Sequence, residues 1–83
     1  MPWKISWSNE AASELSKLDN AAVSRIVLKL ERALKNPMRF FERLAGSDYY
    51  KLRIGDYRIL ALIFHSDEII SVQKLGHRKN VYR

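Results

Sequence analysis

The chain has 83 residues, 47% hydrophobic and 29% charged, which suits one folded domain over 1–83 and leaves no room for a second core. It has no cysteine, so disulfide frameworks, thiolate metal sites and cysteine nucleophiles are excluded. No apolar run approaches the roughly 20 residues of a membrane span, and the opening MPWKISWSNE lacks the hydrophobic stretch of a secretory signal, so a cytoplasmic address is expected.

Trp3-Lys4-Ile5-Ser6-Trp7 alternates apolar and polar residues, the period of a half-buried strand. Ser8 follows as a candidate N-cap, with Glu10 in the first turn of a short helix carrying Ala11, Ala12, Leu15 and Leu18. Asp19-Asn20 ends that helix and caps the next. The second helix has an apolar stripe of Val23, Ile26, Val27, Leu30 and Leu34, with Arg25, Lys29, Arg32 and Lys35 on its other faces. Asn36-Pro37 stops it, because proline disfavours helical geometry in the residue before it. Residues 38–47 read as a connection with Phe40, Phe41 and Leu44 tucked inward. Two strand-like runs, 49–54 and 57–64, flank Gly55-Asp56 and predict a tight hairpin with a primed turn. A turn at Ser66-Asp67-Glu68 leads into a last strand, Ile69–Leu75. The expected class is α+β: a single βααβββ domain with a helical hairpin packed on a mostly antiparallel four-stranded sheet.

Fifteen Lys and Arg against nine Asp and Glu give a net charge of +6 and a pI near 9.9. That balance points to an anionic partner. Residues 1–50 carry eight basic and six acidic side chains, whereas 51–83 carry seven and three. All four tyrosines, Tyr49, Tyr50, Tyr57 and Tyr82, lie in or beside the more basic part. Cations interleaved with phenols suit RNA, where guanidinium groups hold phosphates and rings stack on unpaired bases.

A two-residue turn at Gly55-Asp56 sets Arg53 opposite Arg58, Leu52 opposite Ile59 and Lys51 opposite Leu60. Lys51, Arg53 and Arg58 then share one face, while Tyr50, Leu52, Ile54, Ile59, Ala61 and Ile63 share the face under the helices. Solvated sheet faces commonly carry lysine and arginine. Two arginines directly opposed are another matter, because they repel, and the pairing makes sense where an anion lies over it. Leu60, Leu62 and Phe64 continue this outer face and call for a cover, from the chain's own tail or from a partner.

RNA can be cut by its own 2′-hydroxyl attacking the neighbouring phosphate. The reaction needs a base, positive charge for the transition state, and an acid for the leaving oxygen. Two histidines, His65 and His77, are too few for an all-protein metal site, and no His–His or Glu–His pair is evident. Lys51 is the candidate base, since neighbouring cations disfavour its ammonium form. The arginines better serve charge stabilisation.

The stretch LAGSDYYKLRIGDYRILALIF, followed by VQKLGHRKNVYR, resembles the RelE/ParE toxin superfamily, archaeal-type RelE in particular. The resemblance implies the toxin of a type II toxin–antitoxin system. It would be a ribosome-dependent, metal-independent endoribonuclease that cleaves mRNA in the decoding site and is neutralised by a RelB-like antitoxin in a hetero-oligomer. No cofactor is implied. It further implies that Lys51 is the general base, Arg58 a phosphate-binding arginine, Arg78 the residue at the leaving group, and Tyr82 a stacking platform. Arg53, Lys74 and Lys79 are the expected substrate-binding cations. Arg53 stands where bacterial members carry a second lysine, which keeps the charge but removes a titratable group. Two alternatives stay open: a ParE-like inhibitor of DNA gyrase, and a non-catalytic RNA-binding module.

Overall fold

In the computed structural model, residues 3–77 are described. The elements run β1 (Lys4–Trp7), α1 (Asn9–Ser16), α2 (Asn20–Leu34), α3 (Pro37–Phe40), β2 (Glu42–Arg43), β3 (Tyr50–Ile54), β4 (Tyr57–Phe64) and β5 (Ile69–His77). They build one five-stranded sheet in the order β1-β5-β4-β3-β2. β1 runs parallel to β5, and the other neighbours are antiparallel.

Both helix starts follow from their caps. Ser8 Oγ accepts from the Ala11 N–H at 3.0 Å, and Asp19 Oδ1 accepts from the Ala22 N–H at 2.8 Å, each satisfying an amide that the helix itself leaves unpaired. α2 stops at Leu34, and Pro37 opens α3, where its missing N–H costs nothing. Ile26, Leu30 and Ala33 of α2 are buried against Leu52, Ile54, Ile59, Ala61, Ile70, Val72 and Leu75 of the sheet. Each fully buried aliphatic side chain contributes about 1.5–3 kcal/mol, so this one seam carries most of the hydrophobic stabilisation.

The structure differs from the sequence reading in the connection after α2. The four-stranded sheet expected there is five-stranded, and residues 38–47 are not plain loop. Phe41 N–H donates to the Pro37 carbonyl at 2.8 Å, closing the single turn of α3, and Glu42–Arg43 then pairs with Tyr50 and Lys51. A four-residue helix and a two-residue strand are too short for hydrophobic periodicity to register. Phe41 is buried, and Phe40 packs at the core's edge, as the inward-tucked aromatics require. At the β3–β4 turn, Gly55 takes φ +57°. Asp56 is absent from the positive-φ residues, which matches the II′ pattern with glycine first.

β5 contains an irregularity that the period-2 reading does not anticipate. Phe64 pairs with Ile69 and Ala61 with Val72, but Leu60 pairs with Lys74, so Gln73 is an extra residue. Ser8 holds this bulge. Its backbone N–H donates to the Val72 carbonyl at 2.9 Å, and its Oγ donates to the Gln73 carbonyl at 2.8 Å.

Ser8 therefore does two jobs where Asp19 does one. Ser8→Ala is expected to lower unfolding stability by about 2 kcal/mol in urea melts, against roughly 1 kcal/mol for Asp19→Ala. Equal losses would show that the bond to the bulge contributes nothing.

Candidate nucleic-acid interface

The register of β3 and β4 places Arg53 opposite Arg58, Leu52 opposite Ile59 and Lys51 opposite Leu60, as the two-residue turn predicts. Pairing across the whole sheet extends these contacts into two rows on the face away from the helices. One row runs Glu42, Lys51, Leu60, Lys74, and the other runs Arg53, Arg58, Gly76. The bulge at Gln73 puts Lys74 into the first row and glycine into the second, so the β5 residue paired with Arg58 carries no side chain.

The cations differ in setting. Arg53 is exposed, while Arg58 is half-buried, with Nε and Nη1 closed off from solvent and interactions of its own. Lys51 Nζ stands 3.7 Å from Glu42 Oε1 across the β2–β3 pair. Lys74 is exposed at the far end of its row. Leu60 lies between Lys51 and Lys74 and is only 8% exposed, whereas Phe64 at the other end of β4 is 47% exposed. Part of the apolar outer face is thus covered, and its tip is not.

Because β2 has only two residues, it stops beside Lys51 and leaves Arg53 on the sheet edge. A concavity of about 290 Å³ opens there, lined by Lys51, Arg53 and Arg58 from the sheet and by Lys29, Arg39, Phe40 and Glu42 from α2, α3 and β2. Five cations and one carboxylate converge on it. The structure thus brings Lys51, Arg53 and Arg58 together. Arg78, Lys79 and Tyr82 lie outside the described residues. Among the described residues, no group of three His, Asp or Glu side chains is placed to hold a metal ion. His65 and His77 are both exposed, with their rings edge-on to Trp3 and Tyr57.

Sequence reasoning missed Lys29, Arg39, Phe40 and Glu42. Lys29 was legible only as one cation on the polar side of α2. Its position three residues after buried Ile26 and four before buried Ala33 was the available signal that it borders the packed stripe. Arg39, Phe40 and Glu42 were hidden by the same short elements that escaped the periodicity.

Opposed arginines cost stability and partnered ones do not. Arg53→Gln is expected to hold stability or raise it by up to about a few tenths of a kcal/mol, with the melting point unchanged or higher. Arg58→Gln is expected to lower the melting point, because it removes the interactions of a half-buried guanidinium. Thermal melts of the two variants check both signs.

Similarity to known proteins is consistent across sequence and structure. The chain is 26% identical to the RelE1 sequence of Methanocaldococcus jannaschii over 88 aligned positions, covering all of this chain and 98% of that one. Its fold superposes on the RelBE2 toxin–antitoxin complex of Mycobacterium tuberculosis with a TM-score of 0.81 at 21% identity, covering 94% of this chain and 100% of that one. The archaeal RelE–RelB complex of Pyrococcus horikoshii matches with a TM-score of 0.78 at 23% identity, covering 98% and 100%. The isolated RelE toxin of E. coli gives 0.78 at 23%, covering 96% and 90%. Among the described residues no helix is long and apolar enough to cross a membrane. Residues 5–82 match the family model described as the ParE toxin of type II toxin–antitoxin systems, and with a sheet, helical hairpin and cationic face of this form the chain belongs to that RelE/ParE toxin family.

Proposed function

We propose that this toxin is a ribosome-dependent endoribonuclease of the RelE type, acting on mRNA in the decoding site. The observation that carries the reading is the convergence of Lys51, Arg53 and Arg58 on one concave cationic surface. A sheet that only packed would gain from placing a neutral or acidic side chain opposite Arg53.

In the proposed reaction the 2′-oxygen bonds to phosphorus as the bond to the 5′-oxygen breaks, leaving a 2′,3′-cyclic phosphate and a 5′-hydroxyl. Lys51 takes the 2′-hydroxyl proton, and Arg58 offsets the charge that grows on the phosphoryl oxygens. Arg53 and Lys74 hold flanking phosphates. Arg78, which follows directly on β5, is assigned to the leaving oxygen, Lys79 to the substrate backbone, and Tyr82 to stacking on a displaced base. In-line attack requires the attacking oxygen, phosphorus and leaving oxygen to be aligned, and alignment contributes several kcal/mol. Among the described residues none is placed to impose that alignment, so the ribosome is assigned the task of holding the mRNA kinked.

The solved complexes of the relatives pair RelE with RelB, and the same arrangement is proposed here: a RelB-like antitoxin whose segment over the cationic face is acidic. The family model's description names ParE, so a gyrase-directed toxin is the second reading. The cationic concavity favours the ribonuclease.

Primer extension on programmed ribosomes should reveal cleavage within the decoding-site codon, with naked RNA cut poorly and EDTA without effect. Lys51→Ala and Arg58→Ala should each lower the single-turnover rate at least a hundredfold while ribosome binding weakens far less, as befits contacts made mainly in the transition state. Inhibition of gyrase supercoiling with no ribosomal cleavage would replace this reading with the ParE-like one. Co-expression with the adjacent open reading frame should yield a complex stable in moderate salt; failure to gain any partner would count against the antitoxin.

A further inference from the structure

The cationic surface does not end at the sheet. Lys29 leaves α2 beside the buried Ile26–Leu30–Ala33 stripe and is half-buried. Its Nζ stands 5.5 Å from the centroid of the Phe40 ring. An ammonium over an aromatic face is held there by the ring quadrupole, and the lysine stem lies along apolar surface while its head reaches solvent. Arg39, the residue before Phe40, is exposed and lines the same concavity as Arg53 and Arg58. Two cations from the helical layer therefore face the row of arginines across the uncovered edge of β3.

We propose that Lys29 and Arg39 form a second phosphate-binding lane for single-stranded RNA, with Phe40 as the positioning residue that holds Lys29. The lane continues the strand past the cleavage site, around the sheet edge and onto the helical side. The proposal rests on the RNA-directed reading above and adds residues which that reading leaves unused. A nucleic-acid backbone fits better than a polypeptide for a reason visible in the lining. Protein interfaces draw their affinity from apolar and aromatic anchors seated in pockets. Here the apolar lining is Leu52, which is 2% exposed, and Phe40, whose ring already carries Lys29. What remains to be contacted is charge, on the exposed Arg39 and Arg53 with the half-buried Lys29 and Lys51 beside them, at a site where a chain of regularly spaced anions can reach both layers. β2 decides this. A longer second strand would have covered the β3 edge and separated α2 from the arginines.

The test uses a short fluorescein-labelled, fully 2′-O-methylated RNA, which cannot be cleaved through its 2′-oxygen, and measures its Kd across a range of NaCl concentrations. Each phosphate contact on a single strand contributes roughly 0.7 to the log–log salt slope. Lys29→Gln combined with Arg39→Gln should flatten the slope by roughly 1.4, and Arg39→Gln alone, a change at an exposed position, by roughly half as much. Lys29→Arg should restore most of the Lys29 contribution. An unchanged slope in the double variant, with Arg53→Gln flattening its own, overturns the second lane and leaves the ribonuclease reading standing. An unchanged slope in every variant, Arg53→Gln included, overturns the RNA reading of the whole surface. Weakened binding of labelled poly-glutamate with the RNA slope unaltered would assign the edge to an acidic polypeptide and also overturn the proposal.

Discussion

The arrangement of this toxin depends on one extra residue in its last strand. Without Gln73 as a bulge, the register that begins at Phe64 and Ile69 would run on, setting Lys74 opposite Ile59 and Leu75 opposite Arg58. A lysine would enter the core and a leucine would stand among the arginines. The bulge reverses the alternation, so Val72 and Leu75 both face the helices while Lys74 joins Lys51 on the outer face. Such an insertion leaves backbone groups in need of partners, and Ser8 supplies them at Val72 and Gln73 while also capping α1. The first turn of the chain and its last strand are thereby locked into one unit.

From this follows the separation of the two sheet faces. The helical face collects Leu52, Ile54, Ile59, Ala61, Ile70, Val72 and Leu75 with α2, and this apolar seam holds the arginine pair at a separation that charge alone would resist. Repulsion between like charges opposed across a strand pair is worth about tenths of a kcal/mol and each buried aliphatic residue is worth several times that, so the core wins. Glu42 moderates the repulsion at Lys51, and Arg58, opposite Arg53, has interactions of its own.

The fold is shared with toxins whose solved structures come from bacteria and archaea, at identities of only 21–23% in the superpositions described. Such distance conserves the scaffold and leaves the target to the side chains on its outer face. Among the described residues that face is cationic, concave at the β3 edge and exposes apolar surface at Phe64. These properties suit a phosphate backbone in the concavity, with Phe64 exposed at the other end of β4.

Much of the fold was legible from residue order. Ser8 and Asp19 marked both helix starts, Asn36-Pro37 marked the end of α2, and Gly55-Asp56 fixed the turn that sets Arg53 against Arg58. These are local signals, each depending on a few neighbouring residues and on backbone geometry, which is why the sequence by itself determined them. It determined, too, that the second part of the chain would be the more basic. The bulge was partly visible in the spacing of Ile70, Val72 and Leu75, where a step of three breaks a step of two, but its meaning required knowing which strand lay alongside. Only the tertiary structure decided that Lys29 and Arg39 belong with Lys51, Arg53 and Arg58. Those residues come from a helix, a single helical turn and a hairpin far apart in the chain, and they meet because α2 packs across β3 while β2 stops after two residues. Packing of that kind is set by long-range burial, and no local pattern encodes it.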